Sequence, residues 1–183
     1  MSRHFLRDLF HSRWDRHLLK SRLKALIDEK CRHRLSMHGA LVLASGVGTL
    51  IVGKSGAGKT TCAVDLARRG HKWIADDIVV IERKGGLLVG SGHPRIRGLL
   101  ALDGRILDAQ GFLGADAVRE DASIAMMIEL GAAFPESGMA GRGRRILGRS
   151  VPCWRLPATI TRSGAVAAVE ALAQNLRNAG EGM

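Results

Sequence analysis

The sequence predicts an α/β domain organised around a glycine-rich phosphate loop, with a basic helical extension in front of it. Three observations carry that prediction. The octapeptide GKSGAGKT, Gly53 to Thr60, lies between an apolar run and a helix-forming run. Apolar runs of strand length recur between residues 40 and 92, punctuated by glycines. The first 34 residues are basic and carry their apolar residues at helical spacing.

A chain of 183 residues suits one domain, two at most, and can bury a real core. No apolar run approaches the length of a membrane span, and no signal-like hydrophobic region opens the sequence. The three cysteines, Cys31, Cys62 and Cys153, are scattered and odd in number. They read as reduced thiols of a cytoplasmic protein. A net charge of +11 calls for acidic partners, whether nucleotide phosphates, an acidic protein, nucleic acid or a membrane surface. Aromatics make up only 4% and tyrosine is absent, so stacking platforms for bases are few and nucleic acid is disfavoured.

Residues 1–34 place Phe5, Leu6, Leu9 and Phe10, then Leu18, Leu19, Leu23, Leu26 and Ile27, on one or two amphipathic helices. Such helices pack on a body, bind a membrane or nucleic acid, or dock a partner. Residues 35–183 form the body. ALVLA and GTLIVG read as strands joined by a turn at Ser45-Gly46. TTCAVDLARRGH reads as a helix ended by Gly70, with arginines favouring the negative end of its dipole. WIADDIVVIERKGGLLVGSG, from Trp73, reads as a strand hairpin turned at Gly85-Gly86. GMAGRGRRILGRS, residues 138–150, carries four arginines and reads as a mobile loop, either solvated or docking an acidic partner. AVAAVEALAQNLRNAG closes the chain as a helix.

Gly53, Lys54, Ser55, Gly56, Ala57, Gly58, Lys59 and Thr60 complete the pattern G-x-x-x-x-G-K-[ST]. Its glycines let the backbone curl so that N–H groups converge on phosphate oxygens. The helix that follows adds the positive end of its dipole. Lys59 would neutralise the β- and γ-phosphates, and the Thr60 hydroxyl would ligate Mg²⁺. With the adjoining Thr61, these residues form a candidate site for a nucleoside triphosphate such as ATP.

Mg²⁺ wants six oxygens, so Thr60 needs company. Asp76 and Asp77 stand 17 and 18 residues beyond Lys59, the reach of one helix and a turn back to a neighbouring strand. Consecutive strand side chains point to opposite faces. Either a bulge turns the two carboxylates together, or they have separate jobs, or they merely cap a turn. Separate jobs would suit phosphoryl transfer, one carboxylate taking the acceptor's hydroxyl proton and the other holding the metal. His38, in MHGALVLA, precedes the first core strand; taken alone it reads as an ordinary satisfied histidine.

Together, MHGALVLASGVGTLIVGKSGAGKTTCAVDLARRGHKWIADDIVVI, then IRGLLALDGRILDAQGFLGADAVRE and RLPATITRSGAVAAVEALAQNLR, resemble the catalytic domain of the HPr kinase/phosphorylase family. The order histidine-glycine, strand, phosphate loop, helix, RGH and paired aspartates is the family's, and the resemblance spans residues 36–178. It implies a phosphate-loop fold related to phosphoenolpyruvate carboxykinases, usually assembled from several copies. It also implies an ATP- and Mg²⁺-dependent serine kinase acting on HPr or another small protein. On that resemblance Lys59 and Thr60 hold phosphate and metal. Asp76 is the general base and Asp77 assists the metal, or the two exchange roles. His38 joins the active site and Arg162 lies near the phosphates. The similarity is to a short form, the family's separate N-terminal domain having no counterpart in this sequence. One position departs from the pattern: Arg95 stands where the family has a metal-binding glutamate, leaving Asp77, Asp103 or water to compensate. A cation there also suits a non-catalytic nucleotide sensor. An adaptor for nucleic acid or membrane, built on the basic extension, is the third class.

Overall fold

The computed structural model describes residues 20, 33–132 and 142–181 of the 183. The chain divides into two compact units, Met1–His33 and Arg34–Met183, and the eleven strands among the described residues belong to the second. The helical extension expected over residues 1–34 lies almost wholly outside the described residues; Arg34, its expected last residue, opens a strand.

Two sheets share one long strand. The strands are β1 (Arg34–His38), β2 (Ala40–Ala44), β3 (Val47–Gly53), β4 (Lys72–Ala75), β5 (Ile78–Lys84), β6 (Leu87–Gly92) and β9 (Asp121–Ala132). They pair in the order β1-β5-β6-β9-β3-β2-β4. The first three residues of β9 pair antiparallel with β6, while its later residues run parallel to β3. β10 (Arg142–Ile146) and β11 (Arg149–Pro157) complete the second sheet, β11 lying parallel to β9. A separate hairpin, β7 (Leu99–Leu102) and β8 (Arg105–Asp108), turns at Asp103-Gly104. It leads into the short helix α2 (Ala109–Leu113). The two longer helices are α1 (Lys59–Arg68), which follows the glycine loop, and α3 (Arg162–Glu181).

Alternation along the strands explains the layering. On β2 and β3, Leu41, Leu50 and Val52 point to one side, where they join Val79 and Ile81 of the neighbouring sheet. Val42 and Ile51 point to the other, where they meet Leu66 of α1 and Val169 of α3. Both faces of the central sheet are covered, so its strands read as continuous apolar runs. Burying such side chains stabilises the fold by about 1.5–3 kcal/mol each. Close sheet-to-sheet packing shows at Gly90, where an added Cβ would stand 2.6 Å from Leu41 Cδ2.

α1 ends as its sequence predicts. Gly70 adopts φ +95, its N–H donates to Ala67 C=O at 3.0 Å, and the His71 N–H donates to Leu66 C=O at 3.2 Å. That pair of bonds is a Schellman cap, which needs the left-handed residue glycine supplies. The expected turn at Gly85-Gly86 also forms, both residues at positive φ, which suits a tight hairpin.

Two expectations fail. The run WIADDIVVI is not one hairpin strand: β4 pairs with β2 and β5 pairs with β1 and β6, so the chain changes sheets at Asp76-Asp77. Apolar patterning reports burial, and a buried corner between two sheets carries the same pattern as a buried strand. The segment expected as a loop over 138–150 is instead the pair β10–β11 from Arg142 on, turned at Leu147-Gly148; residues 138–141 lie outside the described residues. Its glycines and arginines masked a strand because, over residues 143–150, Ile146 is the one buried position.

Candidate active site

The glycine loop connects β3 to α1, with Gly56 at φ +78 and Gly58 at φ +86 where side-chain-bearing residues pay a steric penalty. Gly53 opens it at φ +150, and the carbonyl of Leu130 on β9 leaves its α-carbon no room for a side chain: an added Cβ would lie at 2.4 Å. The loop thus rests on the end of the parallel pair β3–β9. Lys59 begins α1 but turns back across the loop, its Nζ donating to Gly53 C=O at 3.1 Å and Lys54 C=O at 2.9 Å. An ammonium has three donors, and these carbonyls take two, which leaves one for an anion held by the loop. Lys59 is buried, while Lys54, Ser55 and Gly56 are exposed.

Asp76 packs against the first turn of α1. Thr60 Oγ1 donates to its carboxylate, 2.8 Å from Oδ1 and 3.1 Å from Oδ2, and the Ala101 N–H lies 3.4 Å from Oδ2. Every one of these donors is neutral. Asp76 is 5% exposed, and burial pushes its pKa above the ordinary carboxylate value, only partly offset by the bonds from Thr60, Asp77 and Ala101.

Asp77 faces the other way. Its φ of +64 and an Ile78 N–H to Asp76 C=O bond of 2.8 Å close a three-residue turn, a rare and strained backbone for a residue with a side chain. The joint between β1 and β2 braces it. The Gly39 N–H donates to Asp77 C=O at 3.1 Å, and His38 Nδ1 lies 2.9 Å from the same carbonyl and 3.1 Å from Asp77 Oδ1. Both of these neighbours are acceptors, so Nδ1 carries the proton. Gly39 in turn has no space for a Cβ, which would sit 2.6 Å from Ile51 C=O. Strain at such a turn persists only where its surroundings over-determine it, as here. The Asp77 and His38 side chains are both more than half exposed.

Glycine loop, Lys59, Thr60, Asp76, Asp77 and His38 therefore meet at one end of the fold. The β2–β4 pairing shifts register between Trp73 and Ala75, and the corner that follows separates the aspartates, Asp76 buried and Asp77 exposed, rather than turning them together. Arg95 is exposed on the turn after β6, and that turn begins where the His93 N–H meets Ile78 C=O at 3.3 Å, one residue beyond Asp77. Arg162 is not bonded to the loop. Its guanidinium forks onto the carboxylate of Asp65 on α1, whose pKa that hydrogen bonding lowers. Arg162 and Thr61 do line a common cleft, and Asp103 lines it too. Sequence reasoning missed Asp65, whose partner is 97 residues away. The one signal available was helical: Asp65 stands four residues beyond Thr61, on the same face.

As donors for a magnesium ion, the Thr60 hydroxyl and the Asp76 carboxylate are hard oxygens already in contact, and among the described residues the carboxylate makes no ion pair. They fit such an ion, with phosphate oxygens and water completing its shell. Among the described residues no group of three or more histidine, cysteine, aspartate or glutamate side chains gathers as a cage.

Fold and site define an α/β domain built on a strand, glycine loop and helix, with an acidic corner beside the helix's first turn. The chain matches the HPr serine kinase C-terminal domain family over residues 29–183 and belongs to that family. It is 37% identical to the HPr kinase/phosphorylase of Chloroherpeton thalassium over 138 residues, 72% of this chain and 41% of that protein. It is 36% identical to that of Exiguobacterium sp. and 37% identical to that of Bacillus pumilus, each match covering 87% of this chain and 53% of the relative. The chain thus spans about half the length of these curated relatives. The Hpr(Ser) kinase/phosphatase structure from Coxiella burnetii superposes with a TM-score of 0.70 at 25% identity, over 81% of this chain and 93% of that one. The expected HPr kinase catalytic-domain fold is the observed one. Among the described residues, no helix is long and apolar enough to cross a membrane.

Proposed function

We propose that this chain transfers the γ-phosphoryl group of ATP to a seryl hydroxyl of HPr or another small protein. The observation that carries the reading is the division of labour at the corner: Asp76 is buried against Thr60, and Asp77 is exposed beside His38. That geometry supports the exchanged assignment of the aspartates. Thr60 and Asp76 would hold Mg²⁺, which would supply charge that neutralises the triphosphate. The backbone amides of the loop and Lys59 orient the triphosphate. Asp77, braced by His38 and Gly39, takes the proton of the seryl hydroxyl as its oxygen bonds to the γ-phosphorus. The bond from phosphorus to the bridging oxygen breaks, and ADP leaves with that electron pair. Little covalent help is needed, because positioning and charge carry this chemistry.

The test incubates the protein with labelled ATP, Mg²⁺ and either HPr or the proteins of its own cell. Asp77→Asn should reduce transfer by about 10²- to 10⁴-fold, the usual worth of a general base, while nucleotide affinity changes by only a few-fold. Undiminished turnover in that variant would remove Asp77 from the role. A second reading is favoured by one feature, the exposed cation of Arg95 on the turn after β6. It makes the chain a nucleotide sensor, and it predicts binding that is indifferent to a chelator, with no transfer to any protein.

A further inference from the structure

We propose that the nucleoside end of the triphosphate lies in a cleft of ≈ 570 Å³ flanking α1, with Phe112 as its stacking surface. The inference rests on the reading of the glycine loop as the phosphate site and adds where the rest of the molecule goes. Once Lys59 and Thr60 take the β- and γ-phosphates, the α-phosphate and nucleoside leave the loop past the next residue. That residue, Thr61, lines the cleft. Its floor is a single face of α1, because the lining residues Thr61 and Arg68 stand seven positions apart, two turns of helix. Seven residues at 1.5 Å each give that face a run of about 10 Å, the length of a nucleoside with its first phosphate.

The opposite wall is apolar, formed by Leu102 and Leu107 of the β7–β8 hairpin and by Phe112 of α2. Phe112 is 39% exposed, and the Arg68 guanidinium sits 5.2 Å from its ring centroid. A flat cation over a partly open aromatic ring is a surface on which a base stacks, whatever the base. Arg105 and Arg162 add positive charge, so that with Arg68 three guanidiniums line the cleft beside one carboxylate, Asp103; Arg162 is itself paired with Asp65, and a net positive charge is left for a phosphate. The volume falls in the range of small-molecule pockets, about 300–1,000 Å³, and its lining joins an apolar wall to a charged one, as a nucleotide with its apolar base and anionic phosphate requires.

The experiment titrates ATP and inorganic tripolyphosphate separately into the full chain, with Mg²⁺, by isothermal calorimetry. Tripolyphosphate keeps the phosphates and lacks the nucleoside. The wild type should bind ATP more tightly. Phe112→Ala should weaken ATP roughly tenfold and leave tripolyphosphate unchanged, since losing one stacking partner acts on the base alone. Phe112→Leu, which keeps apolar volume and is expected to fold, should lose part of the same affinity. Unchanged ATP binding in both variants overturns the assignment and gives the cleft to another occupant, such as the acceptor protein. Equal weakening of both ligands overturns it too, as does a wild type that prefers neither. A wild type that binds neither ligand sinks the phosphate-site reading, and this one with it.

Discussion

Replacing Gly53 by alanine should damage the protein more than the same change at Gly56, although both glycines belong to one loop. At Gly56 the cost is conformational alone. Its φ is +78 and an added Cβ meets no heavy atom within 4 Å, so alanine costs about 1–2 kcal/mol. Gly53 carries a comparable conformational cost at φ +150, about 1–3 kcal/mol. It adds a collision, since the new methyl would stand 2.4 Å from Leu130 C=O and 3.3 Å from Ala57 Cβ. The colliding atom is backbone in the shared strand β9, so β3 or the loop must move, at about 1–3 kcal/mol more. The displaced residue also carries one of the carbonyls that hold Lys59. A kcal/mol lowers the melting temperature of a domain this size by about 2–4 °C, so the two variants should separate by several degrees. Thermal unfolding followed by circular dichroism reads the difference, and tripolyphosphate binding reads the accompanying displacement of Lys59. Melting within about 1 °C of Gly56→Ala would refute the idea that the loop is seated on Leu130.

Two carboxylates should respond to pH with opposite signs. The pKa of Asp76 is raised by burial, so the folded state holds its proton more tightly and stability falls as pH rises above the ordinary value of 3.8. Asp76→Asn should therefore unfold at higher urea than wild type at pH 7.5, and the gain should vanish below pH 3.8. The pKa of Asp65 is lowered by its bonds from Arg162, so its stabilisation is present above 3.8 and lost as acid protonates it. Asp65→Asn should be the less stable protein at pH 7.5 and equal to wild type in acid; gains or losses of the same sign in both variants would contradict the pairing. Burial, with Asp65 and Glu170 near, pushes the Cys62 thiol up to about 12, so iodoacetamide at pH 8 should modify it only after unfolding. Mass spectrometry of the tryptic peptide checks this, and rapid labelling of the native chain would show that the helix opens at its first turns.

Much of this was legible beforehand for a local reason. The loop pattern, the Schellman glycine after α1 and the Gly85-Gly86 hairpin each depend on residues within a few positions of one another. The histidine-glycine pair was legible only as a resemblance. Its cause, Gly39 pressed against Ile51 and His38 bracing a turn 39 residues on, is a contact between strands. The arginine-rich strands β10–β11 were misread because their buried residues are too few to stand out from charge and glycine.

By itself, then, the sequence determined where a phosphate loop would form, which helix it would open and which acids stood near enough to matter. Tertiary structure alone decided which aspartate faces the helix and which faces outward, because the corner between β4 and β5 is made by two sheets meeting. It also decided that Arg162 answers to Asp65 and that a cleft runs from Thr61 to Phe112. Local patterns report what a residue's neighbours in the chain require of it. Partners brought together across a hundred residues are chosen by packing, which no short window of sequence contains.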